Sequence, residues 1–336
     1  MKLNRGIVPA LGLIAILTSS AAAQAPVSAW NLSEPCTYRN LAVFLIRRND
    51  THSDKKLMTL QEALAEKKII VHETGSVNEL SVENVSRDTA VFIQAGDIVK
   101  GGRQDRVLAY DLIVPAQSGR VPLASFCVEA GRWTERGKEN ARQFSESTGQ
   151  LPGRALRLAV SSARQQGQVW EKVKEHQDRL GRRLNKNVAD PLSPSSLQLT
   201  LEDKDLQTKV QDHVTRFEKC IADKPDVTGV VIAINGNIEG AEVYGSASLF
   251  RKMWPKLIRT AAVDAIVEYQ PGRKYELVDK DEIVAFLTAG SQGKPIKTEV
   301  NRRTDVLRRE NEINVSIETR DLRNKEAVSH RSYIAR

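Results

Sequence analysis

From Gln94 to Trp133 the chain reads QAGDIVKGGRQDRVLAYDLIVPAQSGRVPLASFCVEAGRW, and no long helix can run through it. Five glycines, at positions 96, 101, 102, 119 and 131, cut it into short runs. Glycine at such breaks permits positive φ or a close backbone approach, so the runs are read as strands joined by turns. Arg103–Val114 alternates imperfectly and predicts one strand. Pro115–Gly119 is a turn. Val121–Val128 predicts a buried strand, with Glu129 where it ends and Gly131-Arg132-Trp133 turning the chain.

The flanking sequence extends the pattern. Leu41–Ile46, Ile69–Glu73, Leu80–Asn84 and Ala90–Gln94 predict further strands. Thr59, with Glu62 three residues on, predicts a capped short helix through Lys68. After a polar stretch, 134–153, apolar residues recur at helical spacing from Arg154 past Val173. Trp170 in that run reads as a core anchor, or with Gln165 and Gln168 as a ligand contact. Leu206, Val210, Val214, Phe217 and Ile221 mark an amphipathic helix. Val227–Ile234 and Ile238–Tyr244 flank Asn235-Gly236-Asn237, strong hairpin chemistry. Ser246 caps a long helix containing Pro255, a kink or a break. Asp281–Leu287 predicts another helix. Ile313–Thr319 and Val328–Ile334 predict a closing hairpin expected to return to the first-half sheet. The expected fold class is α+β: a strand-rich antiparallel sandwich or jelly-roll-like sheet with several packed helices. The expected organisation is a leader over 1–23, a lead-in segment over 24–37 and one domain over 38–336. That domain divides into a β-rich part (38–133), a linker (134–153) and a mixed helical and hairpin part (154–336).

Residues 1–23 have the form of a signal peptide: basic Lys2 and Arg5, apolar Ile7–Leu17, then small Ala21-Ala22-Ala23. The expected location is therefore the periplasm or outside the cell, with no membrane association after cleavage. Removing two basic residues takes the net charge from +8 to +6. That balance favours anionic partners, but no basic helix with interleaved aromatics appears, so nucleic acid is not expected. Three cysteines in an oxidising compartment imply one bridge and one thiol. All three pairings are open. Cys36 with Cys220 is favoured because both flank elements, whereas Cys127 lies inside an apolar strand.

The histidines His52, His72, His176, His213 and His330 are scattered without metal-ligand spacing, and no phosphate-loop or nucleophile-elbow motif is present. Neither metal nor cofactor is expected. What remains is carboxylates beside arginines. Asp97, Asp105 and Glu129 are candidate general bases. Lys100, Arg103, Arg106 and Arg132 are candidate clamps for phosphate or carboxylate, on backbone left open by Gly101 and Gly102. Gln104 would read a polar edge and Trp133 would stack on a base or sugar. The competing view is a structural network of arginines and carboxylates pinning loops to a sheet.

Gly96-Asp97, Lys100 through Arg106, Cys127-Val128-Glu129 and Gly131-Arg132-Trp133 also form a family pattern. With Gly229–Gly245, Phe250–Trp254, Leu257 and His330–Tyr333, they resemble the ADP-ribosylglycohydrolase- and rhodanese-phosphatase-associated protein domain. The resemblance spans roughly Tyr38 to Ile334. It implies ADP-ribose or nucleotide metabolism by association and leaves mechanism open. Two functions are carried forward. One is an exported protein binding an anionic nucleotide-like ligand such as ADP-ribose, with hydrolysis as a further capability. The other is a non-catalytic periplasmic binding or scaffold module whose charged motif is structural.

Overall fold

The computed structural model describes residues 30–48, 57–132, 134, 136, 137, 139, 144–147, 149–162, 165–324 and 327–336. The leader, His52 and Trp133 lie outside the described residues.

The chain opens with β1 (Asn31–Leu32), β2 (Cys36–Tyr38) and β3 (Leu41–Arg47), the last an apolar run buried almost throughout. β4 (Met58–Thr59) leads into α1 (Leu60–Ala65). The start of α1 is fixed by a reciprocal cap: the Thr59 hydroxyl accepts from the Glu62 amide, and the Glu62 carboxylate accepts from the Thr59 amide. There follow β5 (Ile69–Ser76), β6 (Glu79–Asn84), β7 (Val91–Ile93), β8 (Ile98–Gly101), β9 (Arg106–Leu108), β10 (Leu112–Val114), β11 (Arg120–Cys127) and β12 (Phe144–Glu146). They form a six-stranded sheet, ordered β12-β8-β9-β11-β6-β5, and a three-stranded sheet, ordered β10-β7-β4. Leu60, Val71, Leu80, Val82, Val91, Leu108, Leu112 and Leu123 are packed in the core these strands share.

Two features differ from the expectation. Arg103–Val114 is not one strand: β9 pairs with β11 and β8 in the larger of these sheets, whereas β10 pairs with β7 in the smaller. The chain changes sheets at Ala109–Asp111, where the Asp111 carboxylate accepts the Ala95 amide at 2.7 Å and leaves the ladder. The polar stretch after residue 133 also carries β12, which pairs with β8.

The second part holds α2 (Arg154–Ser162), α3 (Gln166–Leu184), α4 (Leu197–Leu201), α5 (Lys204–Ile221), β13 (Val227–Ile234), β14 (Asn237–Tyr244), α6 (Ala247–Glu268) and α7 (Lys280–Ala289). It closes with β15 (Ile296–Glu299), β16 (Thr304–Glu310), β17 (Asn314–Asp321) and β18 (Ala327–Ala335). At the β13–β14 turn Asn235 and Gly236 have φ of 56° and 79°, the left-handed pair that a two-residue hairpin requires. A Cβ at Gly236 would also lie 2.5 Å from the Glu276 carbonyl oxygen. α6 continues through Pro255.

These strands build a nine-stranded sheet, ordered β1-β3-β13-β14-β18-β17-β16-β15, with β2 beside β3. The tail hairpin thus joins the sheet that holds β3, not the two smaller sheets. Alternate residues serve opposite faces. Leu41, Val43, Leu45, Val230 and Ile234 pack with α5 and α6, while Ala42, Phe44, Ile46, Val231 and Val243 pack with α7. Cys36 on β2 and Cys220 on α5 form a disulfide, with Cα atoms 6.3 Å apart, and Cys127 is a buried thiol. Among the described residues no helix is long and apolar enough to cross a membrane.

Candidate functional site

The end of β11 and the turn after β8 bring Asp105, Glu129 and Arg132 together. Asp105 and Glu129 are completely buried. Arg132 donates from Nε to Glu129 Oε1 at 2.6 Å and from Nη1 to the Gly102 carbonyl at 3.1 Å. Between the two carboxylates sits Arg136, a residue that sequence reasoning missed because it falls in a polar stretch with no periodic pattern. Its Nη1 and Nη2 donate to the two oxygens of Asp105 at 2.8 and 3.0 Å, and Nη1 also reaches Glu129 Oε1 at 3.1 Å. Ser196 donates to Asp105 Oδ2 at 2.8 Å, and the Gly101 amide donates to Oδ1 at 2.9 Å. The Asp105 amide donates to Glu129 Oε2 at 3.0 Å. Burial works against the charge of Glu129, but hydrogen bonds from Arg132, Ser193 and the Asp105 amide, with the field of Arg136, hold it below the usual range. A carboxylate held ionised and fully bonded is a frame, not a poised base.

The other predicted residues disperse around this frame. Gln104 donates to the Glu129 carbonyl at 2.7 Å. Arg106 is fully buried, donates to the Gln104 carbonyl at 2.8 Å and faces Glu73 at 3.6 Å. Lys100 pairs with Glu202 at 2.6 Å. Arg103 has an exposed side chain. Gly102 has φ of 54°, and the Phe144 ring lies against it so that a Cβ would meet Cζ at 2.2 Å. Asp97 lies elsewhere: it pairs with buried Lys256 of α6 and accepts from Gln61 at 3.1 Å. Burial pushes the Cys127 thiol up to about 11, which makes it a poor nucleophile.

A second buried polar centre joins the sheets. His330 of β18 donates from Nδ1 to Asp111 Oδ2 at 2.6 Å and from Nε2 to Glu242 Oε2 at 2.8 Å. Thr319 donates to the same Asp111 oxygen at 2.6 Å, and Arg157 of α2 pairs with Glu242. Tyr244 stacks on the imidazole at 4.4 Å between centroids. Burial opposes the charge on His330, but the two carboxylates raise it to about 9. Burial likewise opposes the charges of Asp111 and Glu242, but His330 for the former, and Arg157 with His330 for the latter, hold both below the usual range.

An open groove of about 860 Å³ runs between α3 and the 185–196 loop. Its wall includes Ala130, next to Glu129, and Ser195, whose hydroxyl donates to the Ala130 carbonyl at 2.7 Å. Trp170 is half-buried in that wall, with an indole Nε1 that meets no partner among the described residues. Lys174, Arg182 and Lys186 line the groove with Glu171 and Asp178. The size and the mainly apolar wall suit a small organic ligand. Trp170 therefore faces this groove instead of serving as the core anchor its spacing suggested. Among the described residues no group of three or more His, Cys, Asp or Glu is placed to hold a metal ion.

Residues 29–334 match the family described as the ARG and Rhodanese-Phosphatase-superfamily-associated Protein domain. No curated protein and no solved structure matches significantly.

Removing Arg136 would leave two buried carboxylates short of their shared partner, so Arg136→Ala should cost about 3–5 kcal/mol in a urea titration. Arg103→Ala, on an exposed side chain, should stay within about 0.5 kcal/mol. Equal small losses would contradict the frame. A folded-state value raised from 6.5 to about 9 gives His330 a stabilising contribution that is complete below pH 6.5 and lost as pH rises through 9. The contribution is roughly 3 kcal/mol. The depressed values of Asp111 and Glu242 give contributions lost instead as pH falls into acid. The melting temperature should fall between pH 7 and 10, and His330→Gln should flatten that fall. An unchanged slope in the variant would contradict the assignment.

Proposed function

The chain belongs to the ARG and Rhodanese-Phosphatase-superfamily-associated Protein domain family, and from that premise we propose that it is an exported binding protein for a small anionic, nucleotide-like ligand such as ADP-ribose. The ligand lies in the groove between α3 and the 185–196 loop. The charged motif of Gln94–Trp133 serves as the rigid frame behind that groove. Export to the periplasm or beyond is supported by the leader-like start and by the Cys36–Cys220 bridge, which suits an oxidising compartment.

The observation that carries this reading is the contrast between the two places. In the frame the carboxylates and guanidinium groups are bonded to one another and buried. In the groove the indole of Trp170 offers a face for a base, and three cations stand at its rim. Lys174 pairs with Asp178 at 3.1 Å, and Lys186 with Asp203 at 2.7 Å and Asp205 at 2.5 Å. The exposed pair of Lys174 is worth little, so that ammonium is available to a phosphate. Binding without hydrolysis is favoured over a hydrolase because the oxygens of Asp105 and Glu129 already accept hydrogen bonds from the frame, and the lowered pKa of Glu129 makes it a weak base.

Calorimetry of the mature chain with ADP-ribose, ADP and AMP tests the proposal. At least one should give saturable heat, and Trp170→Ala should weaken it by about tenfold, in keeping with the value of one stacked base. No heat from any of the three, or undiminished affinity in Trp170→Ala, would refute it.

A further inference from the structure

At the C-terminal end of α3 lies a smaller pocket of about 190 Å³ that shares no lining residue with the groove. Its walls come from the β2–β3 turn, the C-terminal end of α3, α5 and the end of α6. Arg39, Arg183 and Lys209 line it, with Asp212 as the one acidic lining residue. Tyr269 holds two of these cations: the Arg183 guanidinium carbon lies 4.9 Å and that of Arg39 5.6 Å from its ring centroid. The Arg39 guanidinium also lies 5.5 Å from the Tyr38 ring centroid and bonds to the Tyr38 side chain, so it is fixed at the pocket with its other N–H groups left to donate.

Two buried acceptors complete the pocket. Asn40 donates from Nδ2 to Asn235 Oδ1 at 2.9 Å and to the Ala265 carbonyl at 3.0 Å, which fixes the orientation of its amide. Its Oδ1 then meets no donor among the described residues. His213 donates from Nδ1 to the Lys209 carbonyl at 2.9 Å, so its Nε2 carries the lone pair, and it too meets no donor. Asn40 is 5% exposed and His213 2%. Burial also lowers the imidazole's proton affinity, in keeping with a neutral ring. Buried acceptors without donors are exceptions in folded proteins, and here two of them line one cationic pocket.

We propose that this pocket is a second binding site, for a small anion that also carries hydroxyl groups, the chemistry shared by sugar phosphates and hydroxycarboxylates. Its charged end sits among Arg39, Arg183 and Lys209, and its hydroxyls donate to Asn40 Oδ1 and His213 Nε2. Asp212 of the lining accepts from a further hydroxyl of the ligand.

The test is calorimetry of the full mature chain, disulfide intact, with ribose 5-phosphate, tartrate, inorganic phosphate and ribose. Ribose 5-phosphate or tartrate should bind at least tenfold more tightly than phosphate, and ribose should give no heat. Binding of the first alone identifies a sugar phosphate, and of the second alone a hydroxycarboxylate. Arg183→Ala and Lys209→Ala, both outside the core, should each raise Kd at least fivefold, whereas Trp170→Ala should leave it unchanged. His213→Phe keeps a ring but removes the acceptor, and should erase the preference for the hydroxylated anion. The proposal is overturned if neither hydroxylated anion binds, if phosphate binds as well, or if Arg183→Ala and Lys209→Ala are without effect. Loss on Trp170→Ala instead would assign the binding to the groove and overturn it as well.

Discussion

A charged imidazole fixed between two carboxylates in the interior is the constraint on which the rest of this fold turns. His330 stands on β18, Glu242 on the neighbouring β14, and Asp111 on the connection between the two smaller sheets. Removing such charges from water is costly unless each is paired and bonded. The geometry meets that condition from four directions: Arg157 from α2, Thr319 from β17, Ser332 from β18 and the Ala95 amide from the motif. The same contacts explain why the chain leaves one sheet at Ala109–Asp111 and enters another. Two bodies of strands are thereby held in one relative position.

The frame around Asp105 and Glu129 repeats that logic where β8 turns into β9 and β11 ends in the six-stranded sheet. Arg136 and Arg132 close over the carboxylates, and Ser196, the cap of α4, donates into the same cluster. α4 and the loop before it are anchored to the motif in this way, and that loop is one wall of the groove. Structure and binding are therefore divided between adjacent places: charges that satisfy one another hold the wall, and residues beyond it face the ligand. The arginine-rich motif meets the proposed site at Ala130, while its arginines turn to the buried carboxylates or, like Arg103, stay off the groove wall.

Much of this was legible in local sequence. Asn235-Gly236-Asn237 states its own turn because left-handed φ values are required there. Thr59 and Glu62 state a helix start because the reciprocal cap is a four-residue event. The split of Arg103–Val114 was not legible, because what breaks the strand is Asp111 bonding to residues more than 200 positions away. β15 and β16, reading IKTE and TDVLRRE, lack the apolar alternation by which a half-buried strand declares itself. At the site, the proximity of Glu129 and Arg132 followed from their spacing. Their burial and the insertion of Arg136 did not, since both depend on tertiary packing. Trp170 sits at core-like helical spacing, and nothing in its neighbours indicates that α3 leaves that face open.

The protonation of His330 is the most direct measure of whether buried pairing of charges organises this molecule. Nitrogen-15 spectra of the imidazole, followed from pH 5 to 10, report each ring nitrogen separately. The account predicts that both nitrogens stay protonated through neutral pH, with a midpoint near 9. A neutral ring at pH 7, with one nitrogen bare, would contradict it.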